Sequence, residues 1–120
     1  MLNSINFYPK NASLKGTALI SGFHGIGATG YWSVKYMIQK LGLERCCIVD
    51  YEYSAPVSTL IGGKISTPYE IYRNKNLALF KVDVPLQREL DFFFNSEFAY
   101  EIYTVGGCEV LLFCELVCSL

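Results

Sequence analysis

The stretch Thr17-Ala-Leu-Ile-Ser-Gly-Phe23, which runs directly into His24-Gly25-Ile26-Gly27-Ala28-Thr29-Gly30, decides how the rest of this chain is read. Its first seven residues are short, apolar and flanked by glycine, the pattern of a buried strand. After the glycine-rich loop, Trp32, Val34, Ile38 and Leu41 recur at helical spacings with Lys35, Gln39 and Lys40 between them, which predicts an amphipathic helix from Tyr31 to about Leu41. Lys40 falls in its last turn, beside the negative end of the dipole, and Gly42 can take the left-handed conformation that ends such helices. Cys46-Cys-Ile-Val49 is a second short apolar run, stopping at Asp50. Strand, helix and strand in that order predict a right-handed crossover in a parallel sheet.

Before this unit, the first residues read as irregular. Beyond it the pattern changes: Val57-Ser-Thr-Leu-Ile61, Gly62-Gly63 and Lys64-Ile65 predict a hairpin with a turn that tolerates positive φ. A second hairpin follows, with Tyr69-Glu-Ile-Tyr-Arg73 as one strand, Asn74-Lys-Asn76 as the turn and Leu77 to Val84 as the other strand, stopped by Pro85. Gln87 to about Thr104 predicts a helix whose Leu90, Phe93, Phe94, Phe98 and Ile102 share one face, ended by Gly106-Gly107. Glu109 to Val117 is a last apolar strand. The fold class is therefore α/β, with a mixed sheet: a strand-helix-strand start, central hairpins, then a helix and a strand. Repeats, low-complexity stretches and linkers are absent from the sequence, so residues 1–120 are expected to form a single α/β domain.

Composition narrows the function. The chain has 10 Lys plus Arg against 11 Asp plus Glu, so no basic surplus points to nucleic acid or to an anionic membrane. Its longest strongly apolar stretch, Val110 to Leu120, carries Glu115 and is shorter than the roughly 20 residues a membrane helix needs. Met1 to Lys10 lacks a basic start, an apolar core and a small-residue cleavage site, so a cytoplasmic setting is expected. The five cysteines (Cys46, Cys47, Cys108, Cys114, Cys118) include no Cys-x-x-Cys pair and read as small buried hydrophobes. With one histidine there is no convincing metal site and little material for a catalytic triad. His24 could serve as a base beside Asp50 or Glu52, but a solvated loop imidazole is the simpler reading.

Gly25-x-Gly27-x-x-Gly30, between a strand and a helix, has the spacing of a dinucleotide-binding fingerprint, and Asp50 ends the next strand 20 positions later. On that alternative reading the chain is a nucleotide-binding or phosphorylase-like enzyme, with Gly25, Gly27, Gly30 and Asp50 as cofactor contacts. The competing reading is a tight strand-to-helix turn whose glycines permit close packing. It is favoured because Gly22-Phe-His lengthens the loop, and because hairpins follow Asp50 where a further crossover helix would stand. A phosphate loop is excluded, since Tyr31 and Trp32 stand where Lys and Ser or Thr are required.

Taken as a series, Ala18-Leu-Ile-Ser-Gly-Phe-His-Gly-Ile-Gly-Ala-Thr-Gly30, Tyr36-Met-Ile-Gln-Lys-Leu-Gly-Leu43, Ile48-Val-Asp50, Gly62-Gly-Lys-Ile65, Pro68-Tyr-Glu-Ile-Tyr-Arg73 and Val84-Pro85 resembles the proteasome assembly chaperone family, in particular its archaeal and bacterial members. The resemblance implies a phosphorylase-like α/β sandwich and a non-catalytic assembly factor without a cofactor. It also implies homo-oligomers and proteasome α-type subunits as partners. Val117-Cys-Ser-Leu120 does not match the hydrophobic-tyrosine tail that some members use for docking. Family members are longer, so the chain is expected to be a partial, N-terminal version of the family domain. Its last strand should then present apolar surface or an unpaired edge. Either the chain is a fragment, or that strand and the aromatic stripe from Phe92 to Tyr103 form an oligomer interface.

Overall fold

The computed structural model describes residues 5–23, 28–50, 59–61, 63–83 and 92–113. The elements in chain order are β1 (Asn6–Tyr8), β2 (Ala18–Gly22), α1 (Thr29–Leu41), β3 (Glu44–Asp50), β4 (Thr59–Ile61), β5 (Lys64–Ser66), β6 (Tyr69–Arg73), β7 (Leu77–Val82), α2 (Phe92–Gly106) and β8 (Val110–Phe113). Six strands form one mixed sheet in the order β1-β3-β6-β7-β2-β8, and β4 with β5 forms a separate hairpin.

The alternating side chains of β2 and β7 divide the interior in two. On one face Leu19, Ala78, Phe80 and Val82 join Phe23, Ile71 and Val49 against Phe98, Ala99 and Ile102 of α2. On the other, Leu79 packs with Val34 and Ile38 of α1 and with Leu43, beside Ile20 and Leu77. The sheet is thus covered by one helix on each side, a three-layer arrangement. Phe23, Phe80 and Phe98 meet at ring-centroid distances of 5.7 to 6.3 Å. Each such side chain removed from water contributes about 1.5–3 kcal/mol.

The predicted hairpins are present. β6 and β7 pair antiparallel from Tyr69↔Val82 to Arg73↔Ala78. The Asn74 side chain accepts from the Asn76 and Leu77 amides at 2.9 Å, the turn chemistry expected of Asn74-Lys-Asn76. In the first hairpin Gly63 has φ +80°. α1 ends as predicted: Gly42 is left-handed, its amide donates to Gln39, and the Leu43 amide reaches back to Ile38. The beginning of the first hairpin at Val57, the Gln87–Leu90 part of the second helix and the strand from Cys114 to Val117 lie outside the described residues.

Three expectations are corrected. The start of the chain is not wholly irregular: β1 pairs antiparallel with β3 and buries Phe7. One apolar residue between Asn6 and Tyr8 is too short a pattern to read as a strand. β2 and β3 run parallel but are not neighbours, because β6 and β7 stand between them; the parallel partners of β2 are β7 and β8. Finally, Trp32 and Leu41 are exposed. The buried stripe of α1 is Gly30, Tyr31, Val34 and Ile38, and Trp32 lies one position off it, around the helix from the sheet. Among the described residues, no helix is long and apolar enough to cross a membrane.

Candidate functional site

Two features compete for a functional role: the turn between β2 and α1, and a charged chain of side chains on the α1 face of the sheet. At the turn, Gly22 ends β2 against the helix. A β-carbon there would overlap the Val34 side chain and fall 2.5 Å from the Gly30 carbonyl oxygen. Only glycine allows this approach, so Gly22, just before the glycine series, is a close-packing position. Gly30 is buried in the first turn of α1. His24, Gly25 and Gly27 lie outside the described residues, as does Glu52.

Asp50 does not meet Gly30. Strand register places Gly22 opposite Lys81, Lys81 opposite Glu70, and Glu70 opposite Ile48, so Asp50 lies two residues beyond the level of Gly22 and three strands away. At ordinary strand spacing that is about 14 Å across the sheet. In the dinucleotide arrangement the acid sits on the neighbouring strand, a position held here by β7.

The charged chain centres on Glu70, whose side chain is fully buried in β6. Its Oε2 accepts from Arg45 Nη1 at 2.7 Å, from the Thr67 amide at 3.1 Å and from the Thr67 hydroxyl at 3.3 Å. Its Oε1 accepts from the Tyr72 hydroxyl at 3.1 Å and the Ser66 hydroxyl at 3.4 Å, and lies 3.2 Å from Lys81 Nζ. Burial pushes the Glu70 pKa up, but the Thr67 amide, the Arg45 hydrogen bond and Lys81 together outweigh it, and the carboxyl is held below its ordinary range. Burial likewise works against the Lys81 charge, yet Asp83 at 2.9 Å, with Tyr72 and Glu70, raises its pKa. The Tyr31 hydroxyl donates to Asp83 at 3.1 Å and accepts from Lys35 at 3.2 Å. The chain of contacts thus runs from β3 across β6 and β7 to the surface of α1.

A bulge assembles it. Arg45 pairs with Tyr72 and Cys47 with Ile71, leaving Cys46 as the extra residue. Strict alternation would put Arg45 on the same face as buried Cys47; the extra residue moves it to the face that carries Glu70 and Tyr72. Arg45 Nη1 also donates to the Ile65 carbonyl at 2.9 Å, which ties the β4–β5 hairpin to the sheet. Beside these groups runs an open groove of about 620 Å³, lined by Leu43, Arg45, Ile65, Ser66, Tyr72 and Lys81 among others. Every oxygen of Glu70 is already engaged, so the cluster is built to hold shape and charge rather than to exchange a proton with a substrate. The signal for it was present in the sequence: Glu70 and Lys81 interrupt otherwise apolar strands, and a charge buried in a sheet requires a counter-charge.

Of the cysteines, Cys47 and Cys108 are buried and Cys46 is half-buried, all as free thiols. Burial, reinforced by Cys46, pushes the Cys47 thiol up to about 12, which keeps it protonated and inert. Among the described residues no three metal-ligating side chains come together.

No protein-family model matches this sequence, and no curated protein matches it either. The fold does have solved counterparts. Pyrococcus furiosus PbaA, described as an archaeal homolog of proteasome-assembly chaperone, superposes on 91% of this chain with a TM-score of 0.72 at 19% identity. The fold is that of the archaeal proteasome-assembly-chaperone homologs. Pyrococcus furiosus PbaB, described as an archaeal proteasome activator, covers 93% of the chain with a TM-score of 0.64 at 14% identity. A Thermoplasma acidophilum protein of unknown function covers 82% with a TM-score of 0.65 at 21% identity. The chain spans about half of these structures: 47% of PbaA and 51% of PbaB.

Proposed function

We propose that this chain is a protein-binding assembly factor of the proteasome, working in the cytoplasm as a homo-oligomer through surface complementarity and without chemistry of its own. Its partners on this reading are proteasome α-type subunits. The observation that carries the proposal is the likeness to the PbaA fold over 91% of the chain. The internal saturation of the Glu70 cluster supports the non-catalytic part, since its charged groups are spent on one another and on the hairpin. The exposed aromatic and basic face of α1 offers a surface suited to protein contacts, because Trp and Tyr supply much contact area at small cost in conformational entropy.

Co-purification tests the proposal. Proteasome α-type subunits expressed with the tagged chain should be enriched over an untagged control, and the enrichment should persist across moderate salt. If neither low nor moderate salt retains them, the assignment of partner is wrong.

A further inference from the structure

The two helices carry opposite and unmixed charge. α1, with Lys35 and Lys40, contains no Asp or Glu; α2, with Glu97 and Glu101, contains no Lys or Arg over its whole length. Both helices also turn large aromatic residues to solvent: Trp32 is 57% exposed, Tyr36 59% and Tyr100 58%. These groups are organised. Lys35 Nζ lies 5.2 Å from the centre of the Trp32 ring and Lys40 Nζ 5.7 Å from that of Tyr36, while Tyr100 stacks on Tyr103 at 5.8 Å. A shallow trough of about 470 Å³ runs along α1 beside Trp32, Lys35 and Tyr36.

We infer that the basic aromatic face of α1 docks on the acidic aromatic face of α2 in a second copy of this chain. The inference specifies the surface for the self-association proposed above, and it rests on that reading. Charge complementarity selects the occupant. Five residues apart, Lys35 and Lys40 lie about 7.5 Å apart along α1 and on either side of its Trp32–Tyr36 ridge, whereas Glu97 and Glu101, four apart, share one side of α2 about 6 Å apart, so the match is one of overall charge between the two faces. The two faces cannot meet within one molecule, because α1 and α2 pack on opposite faces of the sheet. Between copies they meet in a head-to-tail contact that either closes into a ring or continues as an array. α1 is about 20 Å long, and one helix pair of that length falls short of the roughly 1,200 Å² that stable interfaces bury, so association depends on concentration and on salt.

Charge exchange between the faces tests this on the full chain. In sedimentation velocity the wild-type weight-average mass should rise with concentration. The emission of Trp32, the single tryptophan, should shift to the blue as it does so. Lys35→Glu with Lys40→Glu, or Glu97→Lys with Glu101→Lys, should each weaken association at least about tenfold, because like charges then face each other. An equimolar mixture of the two double variants should restore it, since each copy then offers a complementary face to the other. If either double variant unfolds by circular dichroism, the single pair Lys40→Glu and Glu101→Lys repeats the exchange. A wild type that stays monomeric overturns both this inference and the self-association of the proposed function. A wild type that assembles while the variants assemble equally, or a mixture that fails to restore assembly, overturns the helix contact alone. Capture of proteasome subunits is scored separately and depends on neither outcome.

Discussion

Ser21 lies in β2 with no solvent exposure, on the strand face that carries Leu19, and its hydroxyl finds no hydrogen-bond partner among the described residues. A buried hydroxyl without a partner costs about 1–3 kcal/mol. Ser21→Ala removes that penalty and leaves only a small void, so it should leave the protein as stable as the wild type or raise its stability by about 1 kcal/mol. Chemical denaturation of the two proteins checks this, and a clear loss of stability would show that the hydroxyl is engaged after all. Gly22, next to it, is the contrary case. Its place between Val34 and Gly30 leaves no room for a side chain, so glycine there is a packing requirement and not evidence of a bound phosphate.

At the scale of elements, polar contacts with β6 and β3 tie the β4–β5 hairpin to the six-stranded sheet. Glu70 receives Ser66 and Thr67 from the hairpin's exit, and Arg45 bridges Glu70 to the Ile65 carbonyl. Glu70→Ala leaves Lys81 buried with Asp83 as its remaining counter-charge, while Arg45, 40% exposed, turns toward water. The expected loss is about 2–4 kcal/mol, below the full cost of an orphaned buried pair because of that exposure. The pH dependence has a definite sign. The folded pKa of Glu70 is lowered from its ordinary value of 4.5, so the unfolded chain binds the proton more tightly. Its contribution is complete above the unfolded value and is lost as pH falls through the folded one. Denaturation midpoints from neutral pH down through that range should fall for the wild type and change less for Glu70→Gln. Parallel curves would mean that Glu70 is not the titrating tie.

Across the whole molecule, β7 and β2 occupy the interior of the sheet, and β7 alone supplies Ala78, Leu79, Phe80 and Val82 to the two cores. β1 and β8 stand at the edges, and β4–β5 is joined to the body by polar contacts. Amide hydrogen exchange should therefore be slowest in β2 and β7, and faster in β1, β8 and the β4–β5 hairpin, because opening an edge exposes less apolar surface than opening the centre. Uniform protection across all strands at low protein concentration would contradict this order. Among the described residues β8 is the outer strand on that side, so faster exchange there would match its place at the edge.

Local patterns along the sequence determined the kinds of element and most of their limits. The apolar run before the glycines became β2, Gly42 closed α1, and Asn74-Lys-Asn76 joined β6 to β7, since hydrophobic period and turn chemistry act between residues close in the chain. Tertiary structure alone decided the strand order that separates Asp50 from the glycine turn and the bulge at Cys46 that delivers Arg45 to Glu70. It also decided which side of α1 the sheet covers, leaving Trp32 outside. Those outcomes depend on pairing between residues distant in sequence. The same alternating strand fits several neighbours equally well until hydrogen bonding and burial across the complete sheet select one arrangement.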